Sequence, residues 1–108
     1  MTHKTTITIE ALKALQNDDG MTLKNGRPVN FKTGYQVATE GIETTDAAEA
    51  FEAITKTYGG SCGVWYSGGV YYVDKSHRVS TLRDALNVGR ACNQISILKW
   101  SDMSLVYC

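Results

Sequence analysis

The segment Cys62-Gly-Val-Trp-Tyr-Ser-Gly-Gly-Val-Tyr-Tyr-Val-Asp74 constrains the fold most, because it reads as a β-hairpin with more aromatic side chains than one buried face needs. Gly68-Gly69 supplies the positive φ angles that a two-residue hairpin turn requires. Such a turn sets Tyr66 against Tyr71, Trp65 against Tyr72 and Val64 against Val73. Side chains alternate along a strand, so Cys62, Val64, Tyr66, Tyr71 and Val73 share one face. Trp65, Val70 and Tyr72 share the other. A chain of 108 residues has material for one sizeable core. One of the two sets lines that core, and the other becomes a candidate contact surface.

The flanking sequence supplies what packs on this hairpin. Thr8 to Gln16 fits a short helix with Ile9, Leu12 and Leu15 on one stripe, although the β-branched run Thr5 to Ile9 could also begin a strand. Met21 to Phe31 reads as a hairpin around Asn25-Gly26. A three-residue loop with Gly26 in a bulge is expected there, because it puts Met21, Leu23, Val29 and Phe31 on one face. Pro28 withholds a backbone donor and marks the returning strand as an edge or a bulge. Lys32-Thr33-Gly34 then turns into a short strand, Tyr35 to Thr39.

Thr45 onward starts a helix in which Asp46 and Glu49 have capping-box spacing. Ala47, Phe51, Ile54 and Tyr58 form its stripe, and Gly59-Gly60 stop it. Ser80 to Asn93 predicts a further helix with Leu82, Ala85, Leu86, Gly89 and Cys92 inward. Gly89 is expected to permit close approach to the sheet. Gln94 to Trp100 and Met103 to Cys108 read as paired strands, apolar on both faces and so expected inside the sheet. Strands punctuated by helices give an α+β class: one domain over residues 1–108, a mostly antiparallel sheet, and two or three helices on one face.

Composition narrows the function classes. The 11 basic and 11 acidic residues cancel, whereas nucleic-acid binders usually carry a basic excess that releases counterions. A DNA mimic needs the opposite excess. Charge is segregated locally: Glu40, Glu43, Asp46, Glu49 and Glu52 precede the next base at Lys56, while Lys75, Arg78, Arg83 and Arg90 cluster later. No apolar run approaches the ~20 residues of a membrane span, and the N-terminus lacks the apolar stretch of a secretory signal. A cytoplasmic protein is expected. Three cysteines without Cys-x-x-Cys spacing read as free thiols.

Chemistry-bearing arrangements are sparse. Cys62 and His77 could be paired as nucleophile and base, but no strand-to-helix elbow frames Cys62, which shares the core parity. Zinc ligation by Cys62, His77, Cys92 and Cys108 lacks the short paired spacing of structural sites. The glycines from Gly59 to Gly69 lack the order of a phosphate loop. Glu49 and Glu52 could act as paired carboxylates, although a solvated helical face is the ordinary explanation. No catalytic constellation, metal site or cofactor motif is expected. Trp65, Tyr72 and Trp100 are the leading binding candidates, with Lys75, Arg78, Glu49 and Glu52 as charged contacts, since exposed rings give large contact area at low entropic cost.

The run Leu23 to Val37, together with Gly63-Val-Trp65, Val70 to Asp74 and Asn93 to Ile97, is similar to uncharacterised small proteins carried by phages and integrated mobile elements of Gram-positive bacteria. The resemblance implies genomic context and no site residues. Small single-domain proteins of such elements are often inhibitors of host defence, including anti-CRISPR proteins directed at type II effector nucleases. It therefore implies a non-enzymatic inhibitor whose partner is a host defence protein. The alternative is a nucleic-acid-binding accessory protein using Lys75, Arg78, Arg83 and Arg90 beside stacking aromatics. The edge from Met103 to Cys108 could also pair across a two-fold axis to give a homodimer.

Overall fold

Gly68 and Gly69 take φ values of 59° and 81° and close the aromatic segment into the expected two-residue hairpin. The computed structural model describes residues 6–108. Readings that fall on residues 1–5, the absent secretory signal and a strand starting at Thr5, lie outside the described residues. In chain order the elements are helix α1 (Ile9–Lys13) and strands β1 (Asp19–Lys24), β2 (Arg27–Val29) and β3 (Tyr35–Thr44). Helix α2 (Ala47–Glu52) follows and runs into a π-helical turn, Ala53–Thr57. Strands β4 (Ser61–Ser67) and β5 (Val70–Val79), helix α3 (Leu82–Ala91) and strands β6 (Ser96–Lys99) and β7 (Ser104–Tyr107) complete the chain.

The strands form one antiparallel sheet ordered β2-β1-β4-β5-β3-β6-β7. Alternation and register carry Leu23, Cys62, Val64, Tyr71, Val73, Val37 and Ile97 to the same side. All three helices pack there. Leu12 of α1 and Ala47, Ala50 and Ile54 from α2 and its π turn close over one part, and Ala85 and Leu86 of α3 cover Val37 and Ile97. The Tyr71 hydroxyl donates to the Leu12 carbonyl at 2.9 Å, tying α1 to the central hairpin. Gly89 fits as expected: a Cβ there would sit 2.8 Å from the Cys108 sulfur and 3.2 Å from Ile97 Cγ2. The result is an α+β fold with helices on one sheet face.

Four local expectations need correction. Asn25 and Gly26 both take positive φ, 52° and 76°, and make a two-residue turn instead of a three-residue bulged loop. A turn of that hand matches strand twist better. It pairs Val29 with Thr22 on the helix-free side, so the four apolar residues do not share a face. Phe31 instead meets Trp100 edge-on, ring centroids 5.5 Å apart. The returning strand β2 is an edge, as Pro28 requires.

Strand β3 runs on through the acidic stretch to Thr44, because β5 is long enough to pair with it throughout. A bulge at Thr39 shifts the register between Ala38 and Glu40, which bends the sheet. Strand β6 lies between β3 and β7, as expected of an inner strand, but β7 is an edge and not interior. Their two apolar faces arise because Ile97 and Val106 meet α3 while Leu98 and Leu105 point to the helix-free side. Leu82, expected inward, is exposed at the first turn of α3.

The capping signal is half used. Asp46 accepts from the Ala48 amide at 2.9 Å, whereas Glu49 accepts the Thr44 hydroxyl at 2.9 Å in place of a backbone donor. Asp46→Ala is expected to cost about 1 kcal/mol, read as a Tm lower by several degrees in thermal denaturation. An unchanged Tm would show that the cap contributes nothing.

Candidate binding groove

The helix-free face of the sheet is where the second aromatic set emerges. Trp65 and Tyr72 pair across β4 and β5 and stack at 5.0 Å with a 29° interplanar angle. Trp65 keeps 46% of its surface exposed, and Tyr72 is half-buried beside it. The next pair along the same face is Gly63 with Asp74. On the other side of β5, Gly41 of β3 also stands opposite Asp74. Asp74 is thus flanked by glycine on both neighbouring strands. The glycines are required by space: a Cβ at Gly63 would lie 2.8 Å from Asp74 Oδ1, and one at Gly41 would lie 2.8 Å from the Val73 carbonyl oxygen.

Beyond Asp74 the face continues into a polar relay. Trp100 Nε1 donates to Gln36 Oε1 at 3.2 Å, and Gln36 Nε2 donates to Ser76 Oγ at 2.9 Å. The Ser76 hydroxyl, having accepted from Gln36, turns its own proton to Asp74. The Gly63 amide donates to Asp74 Oδ1 at 3.2 Å. Every donor in this relay points toward one carboxylate, an arrangement in which successive bonds polarise one another. Even so, burial dominates and raises the Asp74 carboxyl from its ordinary 3.8 to about 6, with the Gly63 and Ser76 hydrogen bonds opposing that rise. Around these groups runs a groove of about 660 Å³, walled by Trp65 on one side and Leu98, Trp100 and Leu105 on the other, with Asp74 and Ser76 on its floor.

The residues singled out from the sequence fall into three groups. Trp65 lines the groove, and Tyr72 stacks on it from the adjoining surface beside Glu43. Trp100 is only 4% exposed, and Phe31 packs against it, so it props the relay and shows the groove only a sliver of its surface. Arg78 lies on the groove's side of the sheet but is tied down. Its Nε and Nη2 donate to the Thr33 carbonyl and hydroxyl, each at 3.0 Å, and its guanidinium lies over the Phe31 ring. Lys75 pairs with Cys62 and so projects on the helical side. Glu49 and Glu52 are exposed on α2, also on that side. The structure therefore does not gather the seven residues into one site.

Cys62 is 2% exposed, and burial, followed by the Asp74 charge, pushes its thiol up to about 11. It is a neutral packing group at physiological pH. All three cysteines are free. Among the described residues no three His, Cys, Asp or Glu side chains come together as a metal-binding group. No helix among them is long and apolar enough to cross a membrane.

Sequence reasoning missed Asp74 as a site residue. The available signal was its parity: it follows Tyr72 by two residues, and the hairpin register places Gly63 opposite. Comparison with protein-family models, curated proteins and solved structures finds no match to this chain.

Proposed function

We propose that this protein is a non-enzymatic inhibitor that binds a host defence protein through the helix-free face of its sheet. The observation that carries the reading is the exposed Trp65, which lines a groove and stacks on half-buried Tyr72, an aromatic surface the fold does not need for its own core. Aromatic anchors beside a pocket have the character of interface hot spots. The resemblance to small phage and mobile-element proteins directs the choice of partner toward a type II CRISPR effector nuclease. Zero net charge favours blocking of a nuclease domain, guide loading or target-DNA entry over imitation of DNA.

The nucleic-acid alternative draws less support. Stacking aromatics and phosphate-binding bases must lie along one track to hold a strand. Here Lys75 projects away from Trp65, and Arg78 is engaged by Thr33 and Phe31.

Cleavage of a target plasmid by purified type II effectors, with and without the protein, tests the proposal. Slowed cleavage by at least one effector is expected, and undiminished cleavage across the set would remove the nuclease as partner. Trp65→Ala and Tyr72→Ala should each weaken the complex tenfold or more in a binding titration. Wild-type affinity in both variants would move the interface elsewhere.

A further inference from the structure

We propose that the groove receives an arginine side chain of the protein partner, its guanidinium paired with Asp74 and lying against the Trp65–Tyr72 rings. The inference rests on the reading of this face as the partner-binding surface and names the chemistry that surface selects.

Three observations carry it. Asp74 lies on the floor of a cavity of about 660 Å³, large enough for a long side chain. Its hydrogen-bond partners among the described residues are neutral, the Gly63 amide and the Ser76 hydroxyl, so its charge is solvated by dipoles and not balanced by a cation. Trp65 lines the same cavity, with the Tyr72 ring stacked on it at 5.0 Å. The groove thus sets one carboxylate and one indole ring in the same cavity.

A guanidinium answers both features. It is planar, stacks on indole and phenol rings, and meets a carboxylate through two parallel N–H bonds. It is also more weakly hydrated than an ammonium, so it loses less on entering a partly dry groove. Lysine would satisfy the charge but has no planar face to stack on the rings and no paired donors for the carboxylate. A nuclease that holds its nucleic acids in a positively charged channel presents side chains of this kind. Capture of one by Asp74 would leave a phosphate without its partner.

The test is a titration of the full chain, labelled with ¹⁵N, by the peptide acetyl-Gly-Arg-Gly-amide, with acetyl-Gly-citrulline-Gly-amide as the uncharged isostere. Saturable shifts of the Trp65 indole N–H and the Gly63 amide are expected with the arginine peptide alone. Asp74→Asn should weaken that binding tenfold or more, with a dispersed spectrum verifying that the variant is folded. Absence of shifts, or equal shifts with citrulline, would overturn the proposal without any variant being needed. The broader reading is separable: a nuclease complex that depends on Trp65 but a groove indifferent to arginine would sink this inference alone.

Discussion

Gly41→Val is expected to destabilise the protein by about 3 kcal/mol, near the upper end of what overpacking costs. Gly41 has no positive φ, so the demand is for space and not for an unusual backbone. Its Cβ would sit 2.8 Å from the Val73 carbonyl oxygen and 3.2 Å from Asp74 Cβ. The first of these is backbone and cannot swing aside. Relief would have to come from parting β3 and β5, which pair over nine positions on both sides of the Thr39 bulge. Urea denaturation should show a lower midpoint with little change in slope. At Gly60, Gly68 and Gly69 an added Cβ would meet nothing within 4 Å, so substitutions there act through backbone strain alone. A Gly41→Val midpoint equal to wild type would mean that the sheet yields at this point.

Asp74→Asn should raise stability by roughly 3 kcal/mol above pH 7, since each unit of the difference between 3.8 and about 6 corresponds to about 1.4 kcal/mol. The sign follows from linkage. The Asp74 carboxyl titrates near 6 in the fold and near 3.8 when released from it. Between those values the folded chain holds a proton that the unfolded chain has lost, so stability declines as pH rises through that window. Above about pH 6 the fold carries the whole cost of a buried carboxylate. An asparagine keeps the Oδ1 that accepts from the Gly63 amide and does not ionise. The stability of the variant should therefore lack the decline that wild type shows across this window. Equal profiles for the two proteins would show that Asp74 is not held out of water. A residue that weakens its own fold while facing a groove is the pattern expected when function requires it.

The central hairpin was legible because its register is set locally. Gly68-Gly69 fixes the turn, and every pair from Tyr66 with Tyr71 back to Val64 with Val73 then follows. The helix cap at Asp46 and the close packing at Gly89 are legible for a similar reason, each depending on neighbours within a few residues or on one face. Long-range order was not legible. Nothing in Ser96–Lys99 or Ser104–Tyr107 says that the pair attaches through only Tyr35 with Lys99 and Gln36 with Leu98, leaving β7 at an edge. Apolar content on both strand faces suits an interior strand, yet here Leu105 and Tyr107 remain 56% and 70% exposed. Trp100 reads as a contact residue in the sequence because its partner, Gln36, lies 64 residues away. Asp74 becomes visible only when β3 and β4 are placed on either side of β5, each contributing a glycine.

The proposed function rests on adhesion through one face of the sheet. A cleavage assay with a susceptible nuclease, comparing wild type, the Trp65→Ala/Tyr72→Ala double variant and Lys56→Ala on the helical side, tests it most directly. Inhibition should persist with Lys56→Ala and disappear in the double variant, whose dispersed spectrum shows it folded. Full inhibition by the double variant would contradict the account.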